Sequence, residues 1–159
     1  ADSKLPDMQA GWEMAISNVL AGLSGLNMVY ESVGMHASLL GFCFESLTLG
    51  DDLLGQAQRC VRGIDVSEDS VSIDVMRQVC LDGPGHYLGS DQTLKLMQTE
   101  YIYPALGNRM SPKEWNEASR PQLLDKAKER TAMLLAHAER QLDPALDAAI
   151  RARFPIRVQ

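Results

Sequence analysis

Residues 7–34 read DMQAGWEMAISNVLAGLSGLNMVYESVG, a segment in which two apolar patterns follow one another. Asp7 is a residue type that caps helices, and apolar side chains follow it at spacings of three and four. These side chains are Met8, Trp12, Ile16, Val19, Leu20 and Leu23. The spacing predicts an amphipathic helix of about 17 residues whose apolar face, including Trp12, packs in the core. Gly25 ends this helix, and the apolar run 26–30 is typical of a short buried strand, so the segment predicts an α/β unit.

The rest of the chain has mainly helical patterns. Residues 35–44 form an apolar, glycine-interrupted run that we interpret as a short buried helix, with 46–50 as a connection. The next helix is predicted to start at Asp51 or Asp52 and to end at Gly63. Further helix starts are predicted at Ser67, Ser90, Ser111, Pro121 and Pro144.

The predicted strand at 26–30 lacks neighbours. A lone strand leaves its backbone N–H and C=O groups without partners, so it needs further strands beside it. A stub at residues 1–5 is the one other candidate strand that the pattern offers. The chain also opens on Ala1 without an initiating Met. We therefore expect this sequence to continue a longer protein whose upstream part supplies the missing strands.

The composition excludes several classes of protein. The 159 residues are 45% hydrophobic and 23% charged, which is typical of a folded globular domain and not of a disordered chain. A net charge of −6 argues against nucleic-acid binding, which usually needs a basic face. No apolar run approaches the roughly 20 residues that span a bilayer, and the start has no signal-peptide pattern. We expect a cytoplasmic protein without a membrane partner.

No common catalytic or metal-binding motif is found in the sequence. It has no phosphate-binding glycine loop, no paired-histidine zinc motif and no nucleophile elbow. Its potential ligands for a metal are His36, Cys43, Cys60, Cys80 and His86, and none of these are spaced as zinc ligands usually are. We therefore expect no metal site, and the cysteines are interpreted as reduced, mostly buried thiols. The run GPGHYLG at 83–89 is either a helix-to-helix linker, the more ordinary interpretation, or a ligand-binding loop.

A candidate binding site follows from the predicted α/β unit. If residues 1–4 end one strand and 26–30 form the next, several polar side chains meet at the carboxyl-terminal rim. In parallel α/β barrels this rim carries the active site. The side chains that would meet there are Asp2, Lys4, Tyr30, Glu31 and His36. Acids, an aromatic ring and a cation suit a small zwitterion, although the pattern identifies no catalytic group.

Ordered segments of this chain resemble the C-terminal third of the trimethylamine:corrinoid methyltransferase family. The matching stretches are DSKLPDMQAGWE at 2–13, GLNMVY at 25–30, RGI at 62–64 and GHYLG at 85–89, followed by Glu100, Tyr101, Pro104, Arg109 and Trp115. No single stretch is diagnostic, but their order covers nearly the whole chain.

The resemblance implies a (β/α)₈ TIM barrel. Residues 1–50 would supply the last barrel units and residues 51–159 a C-terminal helical part. Family members transfer a methyl group from a methylated or quaternary amine to the Co(I) of a separate corrinoid protein, so the resemblance implies a corrinoid partner and no cofactor bound directly. A trimethylamine-specific branch carries pyrrolysine, which we place just ahead of the segment matching Asp2. We favour the glycine betaine branch, which lacks it.

The resemblance also suggests roles for the rim residues. Tyr30 and Glu31 would hold the methylated cation, with Tyr30 in direct contact, and Lys4 or His36 would hold a substrate carboxylate. We expect the 159-residue chain to self-associate, because a barrel fragment would expose its barrel-facing surface. The alternative is a non-enzymatic helical module whose acidic N-terminal part binds a basic partner; such a module would fold cooperatively as a monomer.

Overall fold

The computed structural model describes residues 1–137 and 142–155. Within these residues the chain is dominated by helices, as the sequence predicts, and its one sheet is a two-stranded antiparallel hairpin. In chain order the elements are α1 (Met8–Leu23), β1 (Met35–His36), β2 (Gly41–Phe42), α2 (Phe44–Arg62), α3 (Glu68–Val71), α4 (Ile73–Cys80), α5 (Asp91–Leu96), α6 (Pro112–Glu117), α7 (Leu123–Ala136) and α8 (Pro144–Arg153).

Local signals set three helix starts where the sequence predicts them. The Asp7 side chain accepts a hydrogen bond from the backbone N–H of Ala10 and so caps α1. Ser111 and Glu114 form a reciprocal capping box at the start of α6. Pro144 occupies the first turn of α8, where its missing N–H costs nothing. These interactions span three residues or fewer, so the sequence alone is sufficient to predict them.

The predicted strand at 26–30 is wrong. In the described part of the chain these residues form a turn and an irregular connection between α1 and β1, with no neighbouring strand beside them. A strand is stable only where another strand accepts its hydrogen bonds. The stub at residues 1–5 is likewise not a strand, although its backbone hydrogen-bonds to the hairpin.

The predicted short helix at 35–44 is a hairpin. Met35 pairs with Phe42 and His36 with Gly41, and the three residues 37–39 that reverse the chain all have positive φ. Helix α2 then starts at Phe44, so residues 46–50 are helical and the predicted start at 51 or 52 is wrong. The division at residues 50 and 51 stays a prediction, and α2 runs through it.

The core lies between α1 and α2. Ala10, Met14 and Val33 form a buried cluster, and α2 also packs against α7. Gly50 allows the closest approach, because a Cβ at this position would lie 2.4 Å from the Val33 side chain. The glycine that resembles a helix break in the sequence is therefore a packing residue inside α2.

The apolar face predicted for α1 is exposed. Trp12 is 53% exposed, so its predicted place in the core is wrong, and Met8, Ile16, Leu20 and Leu23 are exposed with it. The whole chain exposes 12730 Å², whereas a folded monomer of this mass exposes about 7,900 Å². Cys60 and Cys80 are exposed and Cys43 is half-buried, so the expected burial of the thiols is wrong, while all three are unpaired.

Two clusters on α2 hold the segment that follows α5. The Asp52 carboxylate accepts hydrogen bonds from the backbone N–H groups of residues 105–107, at 2.7 to 3.1 Å. Nearby, Arg59 and Arg62 both contact the Glu100 carboxylate, at 2.7 and 3.1 Å. In the described residues, no helix is long and apolar enough to cross a membrane.

Candidate functional site

The N-terminal residues lie alongside the hairpin. The backbone N–H of Ala37 donates to the Ser3 carbonyl at 2.9 Å, and the N–H of Ser38 donates to the Ala1 carbonyl at 3.2 Å. The Ser38 hydroxyl also donates to the Asp2 carboxylate at 2.7 Å. Residues 1–3 are thus held against the turn that follows His36.

Helix α1 holds this segment from the opposite side. The Glu13 carboxylate accepts hydrogen bonds from the backbone N–H of Asp2, at 2.6 Å, and of Ser3, at 3.3 Å. A hydrogen bond from the Gln9 side chain, together with those from Ser3 and Asp2, holds the pKa of Glu13 below its ordinary value. The Ser3 hydroxyl donates to Asp7, the residue that caps α1. A single network therefore links the helix cap, the N-terminal segment and the hairpin.

His36 is the buried group of the site. Its side chain is 4% exposed, and its Nε2 lies 2.8 Å from the Ser46 Oγ on α2. Its Nδ1 is also buried and has no hydrogen-bond partner among the residues that the structure describes. Because a buried polar atom without a partner is costly, Nδ1 is the atom of this site that is open to a ligand, a water or a further residue.

The predicted site residues fall into two groups. Asp2, Lys4 and His36 belong to the network of the N-terminal segment and the hairpin, and the Lys4 ammonium donates to the Asp2 carbonyl at 2.8 Å. Tyr30 and Glu31 lie in the connection between α1 and β1, where Tyr30 is 78% exposed and Glu31 has a φ of 54°. Neither residue ends a strand in the described structure, so the rim argument that grouped them with Asp2 lacks its geometric basis.

Sequence reasoning missed two residues of this network. Glu13 lies ten residues from Ser3 along the chain, and Ser46 ten residues from His36. Neither spacing is a recognised motif, although Glu13 stands inside the matching stretch at 2–13. Their roles depend on how α1 and α2 fold back on the hairpin.

An open apolar groove lies next to the network. It has a volume of about 880 Å³ and runs between α1, α2 and the start of α7. Ser46 belongs to its wall together with Trp12, Met14 and Leu53. Ser46 therefore contacts the groove, whereas His36 lies outside its wall. Among the described residues, no cluster of three His, Cys, Asp or Glu side chains could hold a metal ion.

Comparison with known proteins accounts for nearly the whole chain. Residues 1–157 match the model of the family described as trimethylamine methyltransferase. The chain belongs to this family. The resemblance noted in the sequence is thereby confirmed.

Its curated relatives carry two substrate names. The chain is 29% identical to the glycine betaine methyltransferase of Desulfitobacterium hafniense (strain Y51), over 95% of this chain and 31% of the relative. It is 29% identical to the trimethylamine methyltransferase MttB of Methanosarcina thermophila, over 85% of this chain and 27% of that protein. The chain thus spans about a third of the length of the relatives that it matches.

Proposed function

We propose that this chain is part of an enzyme that transfers a methyl group from a quaternary amine of the glycine betaine type to the Co(I) of a corrinoid protein. The observation that carries the proposal is the family match over residues 1–157. The glycine betaine branch is favoured because the relative of that name aligns over 95% of the chain. The corrinoid partner is the acceptor that the resemblance implies.

In this reaction the main role of the protein is to position the substrate. The N–CH₃ bond of the quaternary amine breaks, the nitrogen keeps the bonding electron pair and becomes a neutral tertiary amine, and Co(I) supplies the pair for the new bond to carbon. No proton needs to move, so the residues of this chain would bind and orient the substrate and exclude water.

Two parts of the substrate need different partners. A carboxylate needs hydrogen-bond donors, and the buried Nδ1 of His36 and the Lys4 ammonium are candidates. A methylated ammonium ion is attracted to an aromatic face, for which Tyr30 is the candidate, with Glu31 as a nearby negative charge. The 78% exposure of Tyr30 leaves its ring free to contact a ligand.

The test is calorimetric titration of glycine betaine, and of an uncharged isostere, into the complete protein and its Tyr30→Leu variant. A cation–π contact at an exposed ring is worth about 0.5 to 1 kcal/mol, so the variant should bind glycine betaine roughly two- to fivefold more weakly and the isostere unchanged. Tyr101→Leu is the matched control, because Tyr101 is also an exposed tyrosine and lies in the segment held by α2.

The outcomes separate the parts of the proposal. Equal losses for both ligands would show that Tyr30 contributes shape and not charge recognition. No loss for either ligand would remove Tyr30 from the site. A wild-type protein that transfers methyl groups from trimethylamine, and not from glycine betaine, would contradict the assigned branch while leaving the reaction class intact.

A further inference from the structure

Ser46 makes a contact that the proposed reaction does not yet use. Its Oγ lies 2.8 Å from the Nε2 of His36, and both side chains are buried, at 5% and 4% exposure. Ser46 stands in the first turn of α2, whereas His36 is on β1. The contact therefore joins α2, which packs against α1, to β1, which is held by the N-terminal segment.

A hydroxyl at this distance determines which tautomer the neutral imidazole ring adopts. A neutral histidine carries one proton, and the nitrogen that accepts a hydrogen bond leaves that proton on the other nitrogen. If the Ser46 hydroxyl donates to Nε2, the proton lies on Nδ1. If the hydroxyl accepts from Nε2, then Nδ1 has a lone pair and would repel an anionic oxygen.

We propose that Ser46 is a positioning residue that donates to Nε2 of His36 and so holds the proton on Nδ1, directed at an anionic oxygen of the bound ligand. Nδ1 is the buried ring atom without a partner in the described part of the chain, so a donor there is available to a ligand. The identification of this oxygen as part of a substrate carboxylate rests on the proposed function. The position of the proton on the His36 ring does not depend on it.

The position of Ser46 suits this role. A serine in the first turn of a long helix has its backbone held, so its hydroxyl has few directions to choose from. Gly50, one turn further along α2, packs against Val33 and keeps the helix close to the chain that leads into β1. Ser46 also belongs to the wall of the groove next to α1.

The first experiment measures the protonation of the His36 ring directly. Long-range ¹H–¹⁵N correlation spectra of the complete protein with ¹⁵N-labelled histidine report which nitrogen carries the proton, and the signal that His36→Gln removes is the signal of His36. We expect Nδ1 protonation in the wild type, a shift towards the other form in Ser46→Ala, and recovery in Ser46→Thr. Thr131→Val is the control, because it removes a buried hydroxyl on α7 that bonds to Thr48.

A wild-type ring protonated at Nε2, or at both nitrogens, would overturn the proposal even if Ser46→Ala fails to fold. An unchanged ring in a folded Ser46→Ala variant would overturn it as well.

The second experiment links the ring to the ligand. Glycine betaine and choline share the methylated cation, and choline lacks the carboxylate. Ser46→Ala should weaken glycine betaine binding about tenfold or more, the scale of one hydrogen bond to a charged group, and leave choline binding unchanged. Equal losses for both ligands would contradict a role through the carboxylate. If the wild type binds neither ligand while its ring is protonated at Nδ1, the proposed function fails and the role of Ser46 stands.

Discussion

The two faces of α1 differ in burial, and the more apolar face is the more exposed one. The face turned to α2 carries Ala10, Met14 and Asn18, all of them buried. The other face carries larger apolar side chains, and these are exposed: Met8, Trp12, Ile16, Leu20 and Leu23. The more polar face is therefore the one that forms the core. We call the two the inner face and the outer face.

The difference shows that the face of α1 that packs within the described residues is the one that can approach α2 closely, and not the one with the more apolar side chains. Gly22 lies so close to α2 that a Cβ there would be 2.5 Å from the Val61 side chain. Asn18 satisfies its buried amide by donating to the Met14 and Ser32 carbonyls. A helix that packs through small residues on one face and presents large apolar residues on the other is suited to lie between two layers.

The largest expected effect concerns the outer face. The 159-residue chain alone should self-associate, because leaving about 400 Å² of apolar surface in water forgoes on the order of 10 kcal/mol. Sedimentation equilibrium should show oligomers that a Trp12→Ser, Leu20→Ser double variant reduces to monomers. Ile64→Ser with Leu88→Ser is the control, since both side chains are exposed and neither belongs to α1. A compact wild-type monomer whose melting does not depend on concentration would contradict this prediction.

The inner face should dominate the stability of the fold itself. Met14 is 7% exposed, so Met14→Ala should lower the free energy of unfolding by about 3 kcal/mol, because the cavity refills poorly. Ile16→Ala, two residues away on the outer face, should cost less than about 1 kcal/mol. Urea unfolding followed by circular dichroism, at concentrations where the chain is monomeric, measures both. Similar losses in the two variants would show that the outer face is also packed.

The contrast also explains which sequence predictions succeeded. The caps at Asp7, Ser111 and Pro144 depend on neighbours within three residues, so local sequence determines them. The run at 26–30 has the composition of a strand, but a strand needs a partner that the described residues do not provide. The positive φ values at 37–39 belong to Ala, Ser and Leu, residue types that give no warning of a turn there.

The sequence predicts the site only in part, as it does the fold. The barrel-rim argument places Asp2 and His36 near each other, and the structure brings them to the same turn through an antiparallel hairpin instead. Ser46 could not be selected, because its link to His36 depends on α2 starting at Phe44 and not near residue 51. An error of about two helical turns in one helix start was enough to hide the residue that holds the histidine.

Two glycines on α1 allow a test of close approach with the same substitution. A Cβ at Gly11 would meet no atom within 4 Å, so Gly11→Ala should stabilise the helix by about 0.5 to 1 kcal/mol. Gly22→Ala gains the same helix propensity, but it must displace Val61, so the net effect should be a loss of about 1 kcal/mol. Thermal unfolding of both variants measures the difference. Stabilisation by Gly22→Ala would show that α1 and α2 can separate freely at this end.

The smallest expected effect concerns Glu13, which ties the N-terminal segment to α1. Hydrogen bonds from Gln9, Ser3 and Asp2 hold the pKa of Glu13 below its ordinary value of 4.5. A carboxyl whose folded pKa is depressed contributes stability above its unfolded pKa and loses that contribution as the pH falls through the folded value. The hydrogen bonds from Asp2 and Ser3 to Glu13 should therefore be complete at neutral pH and should be lost only below pH 4.5, at the lowered pKa.

In amide NMR spectra, the Asp2 and Ser3 signals should move together in that acid range and should be displaced at every pH in Glu13→Gln. Glu114→Gln is the matched control, because the Ser111 hydrogen bonds lower the pKa of Glu114 in the same direction at a distant helix cap. If the Asp2 and Ser3 signals in Glu13→Gln match those of the wild type at neutral pH, Glu13 does not anchor the N-terminal segment, and the hairpin and the hydrogen bond from Ser3 to Asp7 hold it without Glu13.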